Sequence, residues 1–136
     1  MTRARRNVMA IAAVAGLLLS IATPAMAGDI GSTATTRSPV GDWRTRTNGV
    51  TQTITFTKDG KVFGDAGCNR FTGGYTTNGD SITIGPLAST LMMCAENIMN
   101  AESTFLVRIQ AAVAYRAKSN ALRIHAPKDL VHFVRN

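Results

Sequence analysis

The capacity for nucleophilic, metal or redox chemistry in this sequence is concentrated in two cysteines, Cys68 and Cys94, and two histidines, His125 and His132. Cys68 lies in the stretch GCNRFTGGY, from Gly67 to Tyr75, beside Asn69 and Arg70 and fenced by glycines. Three chemistries suit a cysteine there. A nucleophile needs a neighbouring base and a third group to orient it. Only His125 and His132 offer the base, and neither sits in a recognisable signature. A zinc site could draw on all four side chains, but structural zinc ligands usually come in close pairs on tight turns, and these are widely separated. A disulfide needs only an oxidising compartment and a partner, and Cys94 is the one partner present.

Other residues offer weaker chemistry. Met92, Met93 and Met99 form a soft-ligand group that would suit copper, but no histidine is interleaved, and the group reads as adaptable core filler. The glycine-rich run from Gly64 to Gly74 opens a strand rather than a helix, so no helix N-terminus is offered to a phosphate.

The compartment follows from the N-terminus. Arg3, Arg5 and Arg6 precede an apolar run from Val8 to Ile21, then Ala25 and Ala27 in the A-x-A pattern of a cleavage site. This is the layout of a secretory signal peptide over residues 1–27. The apolar run is short for a bilayer span of about 20 residues, so no stable membrane insertion is expected after cleavage. The residues flanking Arg5 and Arg6 fit twin-arginine export poorly, and no cysteine adjoins the cleavage site to carry a lipid. The protein is expected in the periplasm or outside the cell. There the disulfide reading of Cys68 and Cys94 is favoured, worth about 3.5 kcal/mol on the chain-entropy account, a large share of a typical stability of about 5–15 kcal/mol.

The formal net charge is +7, and loss of the three leader arginines leaves +4. The remaining Lys and Arg are scattered, as on a solvated surface. No nucleic-acid-binding pattern accompanies them, and no nucleic-acid partner is expected.

The elements that must position these residues are short. Residues 28–39 are rich in Gly, Ser and Thr and read as a flexible lead-in; one domain is expected over residues 40–136, with Trp43 in its core. Residues 51–57 alternate, Ile54 and Phe56 on one face and threonines on the other, as in a half-buried strand. Lys58 to Gly60 turns into a second strand at residues 61–63. Asn78-Gly79, between residues 75–77 and 81–84, signals a type I′ hairpin, and Gly85-Pro86 ends that strand. From Glu96 to Ala112 the period changes: Ile98, Ala101, Phe105, Ile109 and Ala112 form one helical stripe, with Glu102 and Arg108 off it. Strands return at residues 113–118, 122–125 and 130–135. The fold class is mainly β with one helix (α+β), an antiparallel sheet curled toward a barrel with the helix over one opening or face.

These residues carry a resemblance. GCNRFTGGY at Gly67–Tyr75, IGPLAST at Ile84–Thr90 and Met92-Met93-Cys94 resemble the META/HslJ family of small bacterial envelope proteins. Gly41 to Trp43 is similar to its opening motif, Glu102 with Phe105, Leu106 and Ile109 to its helix, and Val131 to Arg135 to its closing strand. The likeness covers roughly residues 40–135. It implies a small, partly open β-barrel with a helix. It also implies links to heat shock, the cell envelope, novobiocin resistance, and virulence or motility. No catalytic residue, metal or cofactor comes with it. The motif residues Gly67, Cys68, Asn69, Arg70, Phe71, Gly74, Tyr75, Gly85, Pro86, Met92, Met93 and Cys94 are therefore read as architecture, with Asn69 and Arg70 organising loop backbone and surface charge. The expected protein is a monomeric, non-enzymatic envelope protein with a binding or structural role. Its partner is expected to be another envelope protein or a small apolar ligand. The rivals are a hydrophobic-ligand or lipid binder with an apolar pocket at the barrel mouth, and a Cys68-dependent thiol enzyme.

Overall fold

A computed structural model describes residues 37–136; the expected signal peptide, residues 1–27, and all but the end of the 28–39 lead-in lie outside the described residues. Eight strands form one antiparallel sheet in chain order: β1 (Gly41–Thr47), β2 (Val50–Phe56), β3 (Lys61–Asp65), β4 (Arg70–Asn78), β5 (Ser81–Ser89), β6 (Ala114–Ala117), β7 (Ala121–Ala126) and β8 (Asp129–Arg135). The one helix among the described residues, α1 (Glu96–Gln110), joins β5 to β6. The sheet closes, where the resemblance implied a partly open barrel. Trp43 and Arg44 of β1 pair with Arg135 and Val134 of β8, so the first and last of these strands join and neither is left as an exposed edge.

Alternation sets which side chains face inward. On β2 these are Gln52, Ile54 and Phe56; on β7, Leu122 and Ile124; on β8, Val131 and Phe133. With Trp43, Val62, Phe71, Ile82, Ile84, Tyr115 and the helix residues Phe105 and Ile109 the apolar ones among them make one packed cluster. The barrel is filled by side chains. Phe105 stands between Phe71 and Phe133, at ring-centroid distances of 5.8 and 6.2 Å, and so ties the helix to opposite walls. Trp43 donates its indole N–H to the Pro39 carbonyl at 2.7 Å. Pro39 is itself buried, so the end of what reads as lead-in packs on the barrel.

Two turns differ from the sequence reading. Asn78 pairs with Ser81, so the two-residue turn is Gly79-Asp80. Gly79, at φ 60°, takes the first central position, where a type II′ turn needs a positive φ. The hairpin with both central residues at positive φ is instead Asn48-Gly49, with φ 50° and 82°, between β1 and β2. Pro86 does not end β5, which continues to Ser89. Pairing with β4 shifts register between Gly73 and Tyr75, and such an irregularity lets a strand carry a proline that donates no N–H.

Because the strands alternate in direction, the β1–β2 turn, the β3–β4 loop, residues 90–95 and the β7–β8 turn share one end of the barrel. Helix α1 packs there against β1, β2, β5, β7 and β8. It also covers the seam where β5 departs from β6, which pair directly only at Ser81 and Ala114. Gln110 bridges that seam by accepting from the Leu87 N–H at 3.4 Å.

Candidate functional site

The GCN motif lies in the β3–β4 loop at the helix-capped end. The turn is tight: Ala66 N–H donates to the Asn69 carbonyl at 2.8 Å, and Gly67 N–H to the Asp65 carboxylate at 2.8 Å. Gly67 has φ 117°, and a Cβ there would lie 2.6 Å from Val50 Cγ1, so both backbone and space require glycine.

Two buried polar side chains hold this loop to its neighbours. Glu102 of α1 accepts three N–H groups: those of Cys68 (3.0 Å) and Asn69 (2.5 Å) at Oε2, and the Asn69 side-chain amide (2.8 Å) at Oε1. Asn69 uses its full capacity of two donors and two acceptor sites. Its Nδ2 donates to Glu102 and to the Met92 carbonyl (3.2 Å), while its Oδ1 accepts from Thr90 Oγ1 (2.8 Å) and Met92 N–H (2.6 Å). The Cys68–Cys94 disulfide, with a Cα–Cα distance of 6.0 Å, closes the arrangement covalently. Loop, helix and the 90–95 segment are thus one cross-linked unit.

Glu102 is a correction to the sequence reading, which set it off the helical stripe. Its exposure is 8 %, and it belongs to the inward face with Ala101 and Phe105. Its spacing from Phe105 held a signal, since residues three apart share a helix face.

Two of the three grouped methionines are a second correction, Met99 being half-buried on α1. Met92 and Met93 are not core filler: they are 58 % and 85 % exposed, and Leu91 is 94 % exposed. Their backbone is held by Asn69 and Cys94, which leaves the side chains directed outward.

The remaining motif residues scatter. Arg70 is exposed at the start of β4, and its backbone pairs with Thr90. Phe71 is buried against Phe105. Gly74 and Tyr75 lie farther along β4. There Tyr75 donates its hydroxyl to the Thr57 carbonyl at 2.6 Å and meets Phe56 edge-on; burial raises its pKa above 10.0, with Tyr115 adding to the shift. Gly85, at φ 99°, and Pro86 sit in β5 under Gln110.

His125 and His132 stand on β7 and β8, about four strands round the barrel from the β3–β4 loop. The zinc set does not converge, and Cys68 holds its sulfur in a disulfide, so the thiol nucleophile of the sequence reading is not present.

A packed eight-stranded barrel, capped by one helix through a buried Glu–Asn hub and a disulfide, is a small rigid scaffold with an outward apolar loop. The chain belongs to the META domain family, whose pattern matches residues 35–136. Its fold is similar to that of a protein from Burkholderia xenovorans solved by NMR. The two are 18% identical with a TM-score of 0.57, over 71% of this chain and 81% of that one. A second NMR structure, 19% identical with a TM-score of 0.55, covers 69% of this chain and 87% of its own. No protein of curated function matches the sequence.

Proposed function

We propose that the protein is an exported, non-enzymatic binding protein of the cell envelope that supports stress or antibiotic tolerance, and that it binds through Leu91, Met92 and Met93. One observation carries this reading: three consecutive large apolar side chains stand exposed on a backbone that is hydrogen-bonded at Met92 and covalently held at Cys94. Single exposed apolar residues are ordinary, but a contiguous patch marks an interaction site. Holding the loop rigid in advance lowers the ordering cost of binding. The partner that fits is an envelope protein with an apolar recess. Ligand storage inside the barrel has no support, because the interior is packed.

The test is complementation in a strain lacking the gene. A Leu91→Ser, Met92→Ser, Met93→Ser protein is expected to fold with unchanged stability and to lose the tolerance phenotype. A His125→Ala protein is expected to keep it. Full complementation by the serine variant overturns the loop assignment, and a folded but inactive histidine variant overturns the non-enzymatic reading.

A further inference from the structure

A second feature of the barrel surface lies apart from the apolar loop. Past the Arg44–Val134 pair, β1 and β8 no longer pair residue to residue. They are bridged by the Thr45 hydroxyl, which donates to the His132 carbonyl at 2.7 Å. Outside this parting lies an open trough of about 690 Å3, lined by Arg44, Arg46, His132, Leu130 and Val134, with Arg108 of the helix.

The charges in the trough are unbalanced. Arg44 and Arg46 project from the same outer face two residues apart, and their cross-strand neighbours on β2 are Thr53 and Thr51. Opposite charges set across neighbouring strands stabilise a sheet, and here threonines rather than carboxylates stand opposite both arginines. Neither arginine has a carboxylate partner among the described residues, whereas Arg108 is paired with Asp129. Arg46 is steadied by donating from Nη2 to the Gly49 carbonyl at 2.7 Å. Beside these cations, Leu130 and Val134 expose apolar surface, 37 % and 51 % respectively.

From these residues we infer that the β1–β8 trough binds an amphipathic anion: a phosphate or carboxylate head held by Arg44 and Arg46, with an apolar chain along Leu130 and Val134. Guanidinium groups bind such heads through paired charge-assisted hydrogen bonds. The trough volume falls within the range of small-ligand sites, roughly 300–1,000 Å3. The same head group occurs on dissolved amphiphiles and on anionic lipids in a bilayer.

The test uses octyl phosphate as probe, with inorganic phosphate for comparison, and follows the side-chain NMR signals of Arg44, Arg46 and His132. Octyl phosphate is expected to shift these signals and to bind at least about tenfold tighter than inorganic phosphate. The Arg44→Gln, Arg46→Gln protein is expected to lose at least about tenfold in affinity, the smallest effect of removing one hydrogen bond to a charged group. Thr51→Glu, which sets a carboxylate opposite Arg46, is expected to abolish binding without unfolding the protein. Flotation with phosphatidylglycerol vesicles distinguishes the sources. Vesicle binding lost in the same variants supports a bilayer headgroup, and octyl phosphate binding alone supports a dissolved amphiphile. No binding in either format overturns the inference. So do equal binding of inorganic phosphate, and binding indifferent to Arg44, Arg46 and Thr51.

Discussion

Asn69 and Glu102 meet at two points, backbone N–H to Oε2 and side-chain amide to Oε1, although 33 residues separate them in the chain. Both are buried, at 3 % and 8 % exposure. A buried polar group left without its partner costs about 1–3 kcal/mol, more if charged. Glu102→Gln replaces one acceptor oxygen by an amide N–H₂ that must face a donor in either orientation, and is expected to cost about 1–3 kcal/mol. Asn69→Asp sets a second carboxylate against Glu102 and removes two donors; the expected cost is about 3–5 kcal/mol. Urea denaturation of both variants measures this, and an Asn69→Asp protein as stable as the parent would refute the hub.

The disulfide closes a segment with a sequence separation of 26. Cys68→Ser with Cys94→Ser is expected to lower stability by about 3.5 kcal/mol on the chain-entropy account, seen as a fall in the urea midpoint. Since Asn69 still holds Met92, the loop should keep its path. Hydrogen exchange at Met92 N–H checks this, and exchange at the unfolded-chain rate would show that the cross-link alone holds it.

Phe105 touches two walls of the barrel and is fully buried. Phe105→Ala is expected to cost about 3–5 kcal/mol through lost transfer energy and a cavity. Exposed Lys118→Ala should stay within about 0.5 kcal/mol. Equal losses in thermal unfolding would contradict the central position of Phe105.

Tyr75 and Tyr115 are both shifted upward from 10.0, burial being the main cause for each. Their folded forms favour the neutral phenol, so their contribution is fully present below the unfolded pKa and is lost as pH rises through the raised folded values. Stability is therefore expected to hold to about pH 10 and to fall above it on their account. Ultraviolet titration of the phenolate should show Tyr75→Phe removing one late-titrating group. Titration of all tyrosines at the free value would contradict the burial.

Much of the frame was legible in local pattern. The alternation at Ile54 and Phe56, Leu122 and Ile124, and Val131 and Phe133 assigned strand faces, because successive strand side chains point to opposite sides. The three- and four-residue spacing of Ile98, Ala101, Phe105, Ile109 and Ala112 located the helix by the same reasoning. The sequence by itself also narrowed the cysteine pairing, since Cys68 and Cys94 have no competitors. What it left undecided depends on contacts between distant segments. Closure of the barrel joins Trp43 to Arg135, and no local period records which strand meets which. Glu102 was set off the helical stripe because its main partners are backbone N–H groups, which every residue but proline carries and no side-chain pattern reveals. Met92 and Met93 looked like core by hydrophobicity alone. Apolar character sets only a preference for burial; the path of a loop pinned by Asn69 and the disulfide turned them outward. The Arg44–Arg46 trough likewise exists only where β1 and β8 part, a geometry that the packing of α1 and the closing of the sheet decide together.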